Sequence, residues 1–251
     1  MKGRIRERET QVLPTIGRIS IGGKSEKGFP VSYDYFVANT DYAVYKKLFV
    51  EAFGDKPNVL PIIFLSNNTA EVCSEYIEMR DSMNKIFCTK DDGVYTVYNN
   101  GQKTEYLASE MVAKYGSEEI FEERLKATSG SKKGFTRRLT LTFVIPKIRG
   151  VLGQWKFITY ADKTSIDSII NSFDGMLNMA GKVSMIPFDL VVSKKTRAVS
   201  GDKVIYPTVN LVPSASVDNI KAIQEYSSVD YTIINDDKLN KLKDGSDKSG
   251  E

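Results

Sequence analysis

Between Lys126 and Lys156 the chain carries eight cations and not one Asp or Glu. They are Lys126, Lys132, Lys133, Arg137, Arg138, Lys147, Arg149 and Lys156. The chemistry such a run can do is electrostatic. It draws a polyanion through counterion release, with a salt slope of roughly −0.9 per phosphate contact on duplex DNA. Trp155, the only tryptophan, together with Phe135 and Tyr160, offers faces on which bases can stack. The plainer reading puts Trp155 in the core and leaves the cations on solvated loops. Both readings stay open here. The candidate nucleic-acid contacts are Lys132, Lys133, Arg137, Arg138, Lys147, Arg149 and Lys156.

Other chemistries fall away one by one. There is no histidine, which removes Ser-His-Asp triads, Cys-His pairs and His-ligated zinc or iron. GRISIGGKS approaches a phosphate-binding loop, but the position that needs glycine is Arg18, and no helix follows Ser25. Without a helix N-terminus the backbone amides do not converge on phosphate, so a turn between strands is expected. TKDDGVYTV would need oxygen ligands where Cys88 and Lys90 stand, and reads as a hairpin turn instead. Glu118, Glu119, Glu122 and Glu123 read as the solvated face of a helix, with Glu122 and Lys126 as an i,i+4 pair. Cys73 and Cys88 are too few for a structural zinc site, and both fall in strand-like runs as free, buried thiols. No catalytic residue, metal site or cofactor is expected.

The elements that would position these residues are strands with a few helices between them. TIGRISI and YDYFVAN read as extended. Asp41 is placed to cap a short helix carrying Tyr45, Leu48, Phe49 and Ala52, stopped by Gly54 and Pro57. LPIIFLS, VCSEYIEMR, KIFCT and GVYTVYN follow as strands, punctuated by Asp92-Gly93 and Asn100-Gly101, in an antiparallel meander. Residues 103–138 differ, with a charged helix after Ser117 and the linker SGSKKG. RLTLTFVIP sends Leu139, Leu141, Phe143 and Ile145 to one side, and WKFITY returns. Thr164 and Asp167 read as the cap of a helix striped by Ile166, Ile169, Ile170, Phe173, Met176 and Leu177, closed by Gly181. A hairpin around Ser200-Gly201, a helix over 216–226 and a run at YTII complete the chain.

The irregular alternation argues for an α+β fold of mainly antiparallel meanders with a few inserted helices. The expected organisation is a flexible arm (1–12), a β-rich region (13–128), a linker (129–136), an α+β region (137–235) and a disordered tail (236–251). Hydrophobic content of 41% supports a substantial core. No window approaches the roughly 18 apolar residues of a membrane span. The charged opening MKGRIRERET lacks the apolar stretch of a secretion signal, so a soluble cytoplasmic protein is expected.

The order of short motifs carries a resemblance. TIGRISIG followed by FPVSYDYFVA, then LPIIFLSNNTAEVCSEYIEMRD and DDGVYTVY, then LTFVIPKIRGVLGQWKFITY, TSIDSI and GKVSMIPFDLVVS through VIYPTVNLV, resembles the recombination directionality factor-like family of phage proteins. The resemblance covers about two-thirds of the chain. It implies a non-enzymatic partner of a large serine integrase that favours excision over integration, touching DNA directly or through the integrase, with no membrane and no small-molecule substrate. It also implies that Gly150 and Gly153 turn the chain and that Trp155 anchors the second strand. The family pattern includes a cysteine cluster between the meander and the later strands. Here a charged helix and SGSKKG stand in its place, so no metal site carries over. The rival reading is a single-stranded DNA-binding or replication-accessory protein using the basic 126–156 stretch. A histidine-free hydrolase is a third.

Overall fold

The computed structural model describes residues 13–99, 101–199 and 202–214. The arm at 1–12, the turn at Ser200-Gly201, the helix over 216–226, the YTII run and the tail lie outside them. Strands β1 (Thr15–Lys24) and β2 (Pro30–Asn39) form a hairpin. Its turn is closed by Ser25 donating to the Phe29 carbonyl (2.8 Å), with Gly28 at φ 78°. GRISIGGKS is therefore strand and turn, as its residues imply. Helix α1 (Ala43–Phe53) follows, and its N-cap is Tyr42, not Asp41, with no side-chain cap. The Tyr42 amide instead donates to Thr40 Oγ1 at 3.2 Å, and that contact sets the entry of the chain.

Strand β3 (Val59–Ile63) leaves for a second sheet. A one-turn helix, α2 (Thr69–Val72), capped by Asn68, leads into the meander of β4 (Cys73–Arg80), β5 (Ile86–Asp91), β6 (Val94–Asn99) and β7 (Gln102–Leu107). Asp92 and Gly93 both take positive φ (42° and 73°), the two-residue turn whose twist matches its flanking strands. β7 and α3 (Ala108–Tyr115) were not foreseen within 103–138. The reason is visible in β7: almost every residue is exposed, so the strand has no apolar alternation and is held by its backbone ladder to β6. Helix α4 (Glu118–Ser129) starts where Ser117 Oγ accepts from the Ile120 amide.

β8 (Phe135–Phe143) and β9 (Gln154–Thr159) complete an eight-stranded sheet of order β2-β1-β9-β8-β4-β5-β6-β7, antiparallel except where β1 meets β9. Next comes a single π-helical turn, Asp162–Ile166, in which the Ile166 amide donates to Ala161 O at 3.1 Å. It runs straight into α5 (Asp167–Ala180). Thr164 is thus inside the helical path rather than its cap, and its hydroxyl donates back to Ala161 O. Gly181, in the left-handed region at φ 68°, closes α5 as its sequence implies. β10 (Pro187–Val199) and β11 (Asp202–Pro213) pair along their whole length, and with β3 they form a three-stranded sheet of order β11-β10-β3.

Two apolar clusters share the large sheet. The main one lies among β1, β2, β8, β9, the small sheet, α1 and α5, with Phe64 edge-on to Phe173 and Phe188, both at 5.3 Å. Ser165 Oγ accepts from the Val209 amide (2.9 Å) and Ser168 donates to Asn210 (2.8 Å), so polar bonds fix α5 and the turn before it against β11. The second cluster gathers Met79, Cys88, Tyr95 and Val97 of the meander under Met111 of α3 and Phe121 and Leu125 of α4. The architecture is the α+β arrangement of antiparallel sheets expected from the sequence.

Candidate functional site

The cations of the basic stretch are close in sequence but not in space. Lys132 and Lys133 are exposed on the turn before β8, between Gly130 (φ 66°) and Gly134 (φ 71°). Lys147 and Arg149 are exposed on the connection that follows β8. Eight residue steps separate Phe135 from Phe143 at the two ends of that strand, which at ~3.3 Å each is about 26 Å. One linear run is therefore divided between opposite ends of a strand.

Arg137 and Arg138 sit on β8 itself and are held by carboxylates. Arg137 pairs with Glu75 across the ladder, with Asp162 (2.8 Å) and with Asp167 (2.5 Å). The π turn explains how both aspartates reach one guanidinium: its wider spiral brings residues five apart onto one side. The Glu75 hydrogen bond, with those of the two aspartates, holds the guanidinium pKa above its ordinary value against the opposing effect of burial. Arg138, on the other face of β8, donates to Glu78 Oε2 (3.0 Å) and lies over the Tyr76 ring (5.0 Å to its centre). Glu78 is fully buried, and Arg80 (2.7 Å) and the Tyr160 hydroxyl (3.0 Å) also donate to it. Burial pushes the Glu78 carboxyl upward, yet the donors Arg80, Arg138 and Tyr160 outweigh it, and its pKa lies below the usual carboxylate value.

Trp155 is 1% exposed, tilted against Phe49 at 6.2 Å, so it anchors β9 and offers no face to a base. A Cβ on Gly17 would stand 2.6 Å from its ring, so the glycine of TIGRIS is the seat of the tryptophan. Gly150 does turn the chain, at φ 77°. Gly153 lies in the bend that leads into β9, and a Cβ there would run into Ile16, so the glycine also permits a close approach of β1 to the start of β9. Lys147 lies over the Phe53 ring at 4.8 Å, and Ile148 between the two cations is buried, which pins the connection.

Lys156 is the cation that gains unforeseen company. It is half-buried on β9, a Cα partner of Arg18 on the parallel neighbour β1, and with Lys46 of α1 it lines a groove of about 850 Å³. Arg18 and Lys46 lie far from the basic stretch in sequence. The one available signal was Arg18's place at an alternate position of an otherwise small and apolar strand. A second groove, of about 830 Å³, is lined by Tyr76, Tyr98, Ile86 and Cys73 beside α2.

The acidic helix is also engaged. Glu118 and Glu122 converge on Lys90 (2.5 and 2.9 Å), and the Tyr95 hydroxyl shares its one proton between them (2.8 and 2.6 Å), so these two partly exposed carboxylates are tied to the meander. The two thiols are free, and burial pushes both up to about 12, which leaves them unreactive at neutral pH. Among the described residues no group of three acids or cysteines is placed to hold a metal ion, and no helix is long and apolar enough to cross a membrane.

No curated protein and no solved structure matches the chain. A family model does, over residues 16–214, a span running from the first strand of the hairpin to just past the last strand of the small sheet. The chain belongs to the Gp3-like family, described as recombination directionality factor-like, a family of regulatory accessory proteins of recombination.

Proposed function

We propose that the protein is a recombination directionality factor that binds a large serine integrase and favours excision over integration. The observation that carries this is the extent of the family match, which takes in both sheets and every helix described here. The reading is one of population shift: the factor binds one integrase–DNA arrangement more tightly than another and performs no chemistry of its own. Reversing a preference from 1:99 to 99:1 takes about 5.5 kcal/mol of differential affinity. It acts in the cytoplasm of the host cell, where integrase and DNA meet.

Of the seven candidate cations, Arg137 and Arg138 are braces of the sheet, held by Glu75, Asp162, Asp167 and Glu78. Lys132, Lys133, Lys147, Arg149 and Lys156 have no carboxylate partner among the described residues and are the proposed contact points. The test is recombination in vitro with the cognate integrase on excision and integration substrates, with and without this protein. Excision is expected only when the protein is present, with integration suppressed. Unchanged site choice would refute the reading.

A further inference from the structure

We infer that the groove between β1, β9 and the start of α1 binds the phosphodiester backbone of a nucleic acid strand. The inference goes beyond integrase binding and does not depend on it. Arg18 and Lys156 are Cα partners on adjacent parallel strands, so their side chains leave the same face about 4.8 Å apart at the backbone. Like charges directly opposite each other destabilise a ladder. The next strand over places Thr142, not a carboxylate, beside Lys156. Lys46 of α1 adds a third cation, and among the described residues Asp41 is the one acid on the groove wall and no carboxylate lies within ion-pair distance of Arg18, Lys46 or Lys156. The fold thus concentrates positive charge that its own acids do not neutralise, and an anionic ligand relieves that repulsion.

The lining decides the kind of anion. Thr15, Ser20, Asn39, Thr40 and Tyr42 set hydroxyl and amide groups among the cations, and Lys or Arg beside Ser, Thr and Asn is how proteins hold sugar–phosphate backbone. At the rim, Tyr42 is 58% exposed with Tyr45 5.2 Å behind it, an aromatic face on which a base can stack.

The test is fluorescence anisotropy of the full chain with labelled oligothymidylate, the same sequence as duplex and as RNA, and oligoglutamate as competitor, over a salt series. The wild type is expected to bind the oligonucleotides with log K falling as salt rises. Combined Arg18→Gln, Lys46→Gln and Lys156→Gln should weaken binding about tenfold or more and lower the salt slope by about 2, three contacts at ~0.7 each on single strands. Lys85→Gln, an exposed cation on the turn between β4 and β5, should leave the slope as it was. Lys46→Gln alone, an exposed helix position that cannot upset the core, should lower it by about 0.7. Absence of binding at low salt, an unchanged slope in the triple variant, or equal and equally lost affinity for oligoglutamate would each overturn the inference.

Discussion

Glu78 shows how much one side chain can hold in place. It is a buried carboxylate with two guanidinium groups and a phenol donating to it, drawn from β4, β8 and the segment after β9. Removing one partner of such a set strands the others. Glu78→Ala is expected to cost about 3–5 kcal/mol in denaturant unfolding, and Tyr160→Phe, which leaves both ion pairs intact, far less. The pH dependence follows from the lowered carboxyl pKa. The folded state holds this proton less tightly than the unfolded chain, so the contribution is full above the ordinary carboxylate value and is lost as pH falls through and below it. Wild type and Glu78→Gln should therefore converge in stability as the pH is taken down through that range, and a constant gap would show that the charge does not matter. Gly17 is a second single-residue hinge on which packing turns. Gly17→Ala pushes a methyl into Trp155 and the Asn39 carbonyl, and should cost about 1–3 kcal/mol, with Trp155 emission reporting the disturbed seat.

At the scale of elements, α4 is a helix clasped to a sheet by one lysine. Burial alone would lower the Lys90 pKa, but the hydrogen bonds it donates to Glu118 and Glu122 raise it, and accepting from Lys90 lowers that of Glu118. The clasp is thus at full strength between the ordinary carboxylate and ammonium values, weakening as pH falls below the first or rises above the second. Because these groups are partly exposed, Lys90→Ala should cost only about 1 kcal/mol. Its effect should be local: faster hydrogen exchange in α4 with β8 and β9 unchanged, whereas global acceleration would contradict the clasp. Elements with a strong apolar period, β8, β9, α5 and the β10–β11 hairpin, were legible in the sequence because burial of one stripe forces their geometry. β7 and the π turn were not. The first is held by backbone pairing, and the second by Arg137, whose two aspartates are distant in sequence from it. The same physics hid the groove at Lys156. A charge run shows which residues are cationic, but pairing across strands decides which cations stay free, and Arg137 and Arg138 do not.

At the scale of the molecule the question is whether the two apolar clusters fold as one unit or as two units parted at residues 129–136. The strands argue for one. β8 contributes Phe135 to the second cluster and Leu139, Leu141 and Phe143 to the main one, while β4 carries Met79 at one end and Cys73 at the other. Between the clusters stands Arg137, bonded to Glu75 on β4, to Asp162 of the π turn and to Asp167 at the start of α5. Loss of either cluster would break the β4–β8 ladder on which the other is built. A single cooperative transition is therefore expected, with Trp155 fluorescence, which reports the main cluster, coinciding with far-UV circular dichroism, which reports all elements. Phe121→Ala removes a ring from the second cluster and should cost about 3–5 kcal/mol. In one cooperative unit it moves both curves to the same lower midpoint, although Phe121 makes no contact with the tryptophan's cluster. A Trp155 midpoint that stays put while the dichroism splits into two steps would show instead that the meander and its two helices come apart on their own.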